Sequence, residues 1–87
     1  MSLQILFFTS PTCSWCPYLE GVLRNIIAGK ELLTLEVIDV TENTEKAAEY
    51  QVVAIPTIIL PNSQRIIGSV DEAFLRRQMD QFLISRS

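Results

Sequence analysis

Cys13-Ser14-Trp15-Cys16 puts two thiols within one turn of chain, and the sequence holds no other cysteine. Two thiols so close can exchange with a disulfide in two steps. The apolar run that precedes them and the helical periodicity that follows place the pair at a strand-to-helix junction. The first N–H groups of a helix lack intrahelical partners and its dipole is positive there, so a thiolate at Cys13 is stabilised. The thiolate is the nucleophile in disulfide exchange. Cys16, a turn deeper, is expected to be less exposed and to keep its proton longer. Pro17 agrees with this placement, because a residue without an N–H is tolerated in the first helical turn. The spacing predicts a helix beginning near Ser14.

Other uses of the pair remain open. Cys-x-x-Cys supplies half of a zinc site, and no second pair or histidine completes it within one chain. A dimer joining two such pairs around a metal or an iron–sulfur cluster is the alternative of a different class. A purely structural role is the weakest, since so short a loop removes little entropy from the unfolded chain. The absence of histidine excludes Cys–His and Ser–His–Asp catalysis. A net charge of −3, from 7 basic and 10 acidic residues, argues against a nucleic-acid partner and gives no attraction to an anionic membrane.

The elements that must position the cysteines follow from patterning. The 87 residues, 48% apolar, suit one domain spanning 1–87. Residues 3–8 read as a strand buried on both faces. They are too short, and lack the basic lead-in, for a leader or a membrane span. The expected location is the cytoplasm, with Met1-Ser2-Leu3 left open as residues replacing a removed leader. Leu19, Val22, Leu23, Ile26 and Ile27 form one helical face, closed by Gly29. Leu33–Val40 is a second strand, and Thr44, as a cap, opens a short helix reaching Tyr50. Pro56 opens Thr57–Leu60, the turn Pro61–Gln64 follows, and Arg65–Ile67 returns as a fourth strand. Phe74, Leu75, Met79, Phe82 and Leu83 mark a closing amphipathic helix. The order β-α-β-α-β-β-α is an α/β fold. A helical crossover makes strands one and two parallel, and the hairpin makes three and four antiparallel, in one mixed four-stranded sheet with helices on both faces.

Phe8-Thr9-Ser10-Pro11-Thr12-Cys13-Ser14-Trp15-Cys16-Pro17-Tyr18 resembles the active-site stretch of the small glutaredoxin-like thioredoxins of prokaryotes. Tyr50-Gln51-Val52-Val53-Ala54-Ile55-Pro56-Thr57 is similar to the segment leading to that family's cis-proline, and Ile67-Gly68 to its hydrophobe–glycine pair. The resemblance implies the thioredoxin fold and a cis peptide between Ile55 and Pro56, packed against the cysteines. It further implies that the Ile55 backbone pairs with an extended substrate segment, as in strand addition. Gly68 would let a substrate backbone approach closely. Trp15, without a core position, is read as a docking surface, with local packing as its rival. Cys13 and Cys16 are the catalytic pair, and Trp15, Ile55, Pro56 and Gly68 the substrate contacts.

The chain departs from the larger thioredoxins at Phe7 and Leu35, where those carry a buried aspartate and a lysine. The carboxylate that helps move the second cysteine's proton is therefore missing. Their helix-kinking proline is replaced by Gly21, which allows a milder bend. From glutaredoxins it departs at Ile55 and at Gly68-Ser69-Val70-Asp71. Asp71 suits a glutathione amine or a helix cap. These residues imply a reductase of protein disulfides, with Cys13 attacking and Cys16 resolving. Glutathione-dependent glutaredoxin activity is the runner-up. The expected partners are disulfide-bearing proteins and an external reductase or glutathione, acting on a monomer with no cofactor beyond the redox pair.

Overall fold

In a computed structural model, which describes residues 3–86, the apolar stretch after Ser2 forms β1 (Leu3–Thr9). Met1 and Ser2, whose origin was left open above, lie outside the described residues. The chain continues through α1 (Cys16–Ile27), β2 (Leu33–Asp39), α2 (Thr44–Glu49), β3 (Thr57–Ile59), β4 (Arg65–Ile67) and α3 (Glu72–Arg86). This is the expected order.

The sheet runs β2-β1-β3-β4, so β1 is central. β1 and β2 are parallel, from Leu3 opposite Leu33 to Thr9 opposite Asp39. β3 is antiparallel to both neighbours, with Ile58 opposite Phe7 on one side and Ile66 on the other. Successive side chains of a strand point to opposite faces, which explains why β1 is apolar without alternation. Ile5 and Phe7 join Leu19, Leu23, Ile26, Leu75, Met79 and Phe82, from α1 and α3, on one face. Leu6 and Phe8 join Ile38 and Ile59 on the other. Each such side chain contributes roughly 1.5–3 kcal/mol by leaving water.

The second face is covered differently. α2 buries none of its residues. Glu36, in register with Leu6, pairs with Lys46 of α2 at 2.8 Å, a partly exposed link between this helix and the second face. The apolar cover comes from the chain beyond it. Tyr50 and Val52 pack on the cluster, with the Tyr50 ring 5.8 Å from that of Phe8.

Several boundaries differ from expectation: β1 reaches Thr9, α2 closes at Glu49 and β3 at Ile59, and three further shifts have local causes. α1 begins at Cys16, two residues after Ser14, because residues 14 and 15 form a bend and Pro17 is the second helical residue. β2 ends at Asp39, whose carboxylate accepts hydrogen bonds from the N–H and hydroxyl of Thr41 at 2.8 and 2.6 Å and turns the chain. Thr44 is the first residue of α2, not its cap. Asn43 holds that place and directs its side-chain amide back to the Asp39 carbonyl. At the far end of α1, Gly29 takes a φ of +80° as a helix-ending glycine should.

Candidate active site

The cysteine pair hangs between the end of β1 and the first turn of α1. A turn carries the chain across, with the Cys13 N–H donating to the Ser10 carbonyl at 3.2 Å. Cys13 and Cys16 form a disulfide with their Cα atoms 5.4 Å apart. Their environments differ sharply. Cys13 is half-buried at the margin of the core, whereas Cys16 is 3% exposed and belongs to the core cluster with Phe7 and Leu19. One sulfur is open to a visiting disulfide and the other is not.

The later start of α1 changes one detail of the electrostatics. Cys16 is the first helical residue, so Cys13 stands just beyond the positive end of the helix, not within its first turn. Below the pair, the place of the larger relatives' aspartate is filled by fully buried Phe7. Thr57 is the buried polar residue among the described residues, and its hydroxyl is already committed to the Ala54 carbonyl at 2.6 Å. No buried carboxylate therefore serves Cys16 among the described residues. Its proton must leave by way of solvent or backbone groups.

The second component is the loop before β3. The Ile55–Pro56 peptide is cis, as the resemblance implied. Pro56 is buried, and half-buried Ile55 packs against both core clusters, the first of which Cys13 and Val70 also touch. No described residue hydrogen-bonds the Ile55 backbone, which leaves its N–H and C=O available. Val53, just upstream, is 95% exposed and was not singled out in the sequence.

Gly68 supplies the third component. Its N–H donates to the Pro56 carbonyl at 3.0 Å, fastening the turn before α3 to the proline loop. Its φ of +100° explains the residue type, and a side-chain carbon there would meet nothing within 4 Å. The open space agrees with close approach by a visiting chain, but conformation is what requires glycine.

Trp15 is more than an exposed surface. Its indole N–H donates to the Val70 carbonyl at 2.8 Å, and its ring lies 4.7 Å from that of Tyr18. The local packing is thus present, and the side chain retains 38% exposure beyond it. The Tyr18 hydroxyl accepts the N–H of Glu72, the first residue of α3, at 2.9 Å. Tyr18, Val70 and Glu72 were not anticipated. For Tyr18 alone a usable signal is present, because aromatic residues three apart at a helix start meet on one face. Asp71 caps α3, accepting the Phe74 N–H at 2.9 Å. Gly21 lies on the exposed side of α1.

Comparison with known proteins agrees with this geometry. The Thioredoxin family model matches residues 2–85. A thioredoxin of Methanocaldococcus jannaschii is 35% identical over 68 residues, covering 77% of this chain and 80% of that protein. The bifunctional thioredoxin reductase/thioredoxin of Mycobacterium leprae is 36% identical over 77 residues, 83% of this chain but 17% of that protein. Among solved structures, thioredoxin 1 of Thermosipho africanus matches with a TM-score of 0.82 at 25% identity, covering 97% and 99% of the two chains.

Proposed function

Because the chain belongs to the thioredoxin family and is a thiol–disulfide oxidoreductase, we propose that it reduces disulfides of protein substrates, with Cys13 as nucleophile and Cys16 as resolving thiol. The observation that carries this reading is the unequal burial of two sulfurs joined in one bridge. The Cys13 thiolate attacks a substrate disulfide, one substrate thiolate departs, and a mixed disulfide forms. Cys16 then gives up its proton and attacks the Cys13 sulfur. The second substrate thiol leaves, and the two electrons gained by the substrate have come from the cysteine pair.

Trp15, Ile55 and Gly68 form the surface that receives the substrate, with buried Pro56 behind it and bonded to Gly68 through its carbonyl. Support comes from the exposed part of the indole, the free backbone groups of Ile55 and the open space over Gly68. The electrons return from a thioredoxin reductase, a pairing that the Mycobacterium leprae relative carries in one chain. The glutathione-dependent reading is the weaker one, since the carboxylate it would use is occupied in capping α3. The cycle requires no cofactor beyond the sulfurs, runs in a monomer, and belongs to a reducing compartment such as the cytoplasm. A turnover assay with a protein disulfide, driven by NADPH and thioredoxin reductase or by glutathione, tests it. Sustained turnover with the reductase is expected, and turnover with glutathione alone would overturn the assignment of donor.

A further inference from the structure

We infer that Trp15 is a positioning residue: its indole N–H, held by the Val70 carbonyl, keeps the cysteine loop closed while the disulfide is open and so speeds resolution by Cys16. This rests on the roles proposed above for Cys13 and Cys16.

In the oxidised protein the covalent bridge shapes the loop. Once the bridge opens, that constraint disappears from the reduced protein and from the mixed disulfide. Ser14 and Trp15 lie in a bend, and the Trp15 side chain makes no capping bond to its own helix. It reaches instead across 55 residues of sequence to Val70. Tyr18, whose ring is tilted against it, adds a second tie by accepting the Glu72 N–H, one of the donors left unpaired at a helix start.

The far end of both ties is itself anchored. The Val70 N–H donates to the Gly68 carbonyl, the Gly68 N–H donates to the Pro56 carbonyl, and Asp71 caps the first turn of α3. The indole thus bonds to a fixed point, and neither tie involves sulfur. When Cys13 carries a substrate, both ties can still hold the residue between the cysteines. The Cys16 thiol then stays near the Cys13 sulfur, a gain in effective concentration for the ring-closing attack. In that step a sulfur–sulfur bond forms between Cys13 and Cys16, the bond to substrate breaks, and the Cys16 proton ends on the departing thiol or in solvent.

Stopped-flow reaction of the reduced protein with dithiobis(nitrobenzoate) separates the two steps. The first coloured thiolate reports attack by Cys13 and the second reports resolution. In Trp15→Phe, which keeps a ring against Tyr18 but loses the N–H, the ratio of second to first rate should fall by about three- to tenfold, the worth of one hydrogen bond. Tyr18→Phe should shift the ratio in the same direction. Equilibration of Trp15→Phe in a glutathione redox buffer should move toward the dithiol by a similar factor. In the unaltered protein, the indole N–H should exchange slowly with deuterium in both redox states. An unchanged ratio in Trp15→Phe, or rapid indole exchange in the reduced protein, overturns the inference. Failure of the unaltered protein to release the second thiolate would instead overturn the role of Cys16.

Discussion

The Asp71 carboxylate accepts a hydrogen bond from the Phe74 N–H at 2.9 Å, closing the first turn of α3. A side chain used this way supports the fold beside the site. Asp71→Ala should lower unfolding free energy by about 1 kcal/mol, whereas Asp71→Asn should stay close to the parent. Urea denaturation of the three proteins measures this. Unchanged stability in Asp71→Ala with slower use of glutathione would reassign Asp71 to ligand binding.

The burial of Cys16 against Cys13 predicts ordered chemistry. In the reduced protein, iodoacetamide should modify Cys13 well before Cys16, since reactivity follows exposure. Cys16→Ser should accumulate a mixed disulfide with a substrate protein, and Cys13→Ser should remain free. Mass spectrometry under non-reducing conditions reads both results. Equal trapping by the two variants would falsify the order of attack.

Gly68 adopts a φ of +100° with empty space where a side chain would stand. Gly68→Ala should therefore fold without a clash yet lose roughly 1–2 kcal/mol, from backbone conformation alone. Thermal or urea unfolding checks the loss. A stability equal to the parent would show that the turn relaxes freely and that the glycine is not required by its conformation.

Asp39 gives the fold a dependence on acid. Its carboxyl is held below the ordinary value of 3.8, chiefly by the Thr41 hydroxyl and then by the Thr41 N–H. A carboxylate with a lowered folded pKa adds stability above its unfolded value, and that contribution fades as pH falls through the folded value. Thr41→Val should be less stable than the parent at neutral pH, and the gap should narrow below pH 3.8. Urea midpoints across this range provide the measurement. A gap that persists unchanged in acid would assign the loss to packing.

Most of the framework could be read locally because its causes are local. The unbroken apolar run Ile5–Phe8 announces a strand covered on both faces, and the stripe from Leu19 to Ile27 announces α1. The cysteine pair was legible from its place between them. The start of α1 is not legible because a proline without an N–H fits several positions of a first turn, and nothing nearby distinguishes them. Thr44 reads as a cap, although Asn43 stands beside it with equal chemistry. The ties from Trp15 and Tyr18 were beyond reach for a different reason. Their partners are backbone groups 55 and 54 residues away, and backbone groups leave no mark in a sequence.

The composition of the core around Cys16 has a consequence for the newborn chain. The core cluster that walls it in includes Leu60, Leu75, Met79 and Phe82, all supplied by the last third of the sequence. During synthesis both cysteines emerge from the ribosome long before those walls exist. Until α3 has docked, the two sulfurs are equally open to any oxidant or stray disulfide. Selectivity between them belongs to the finished molecule, and an arrested or truncated chain would carry two indiscriminate thiols in its place.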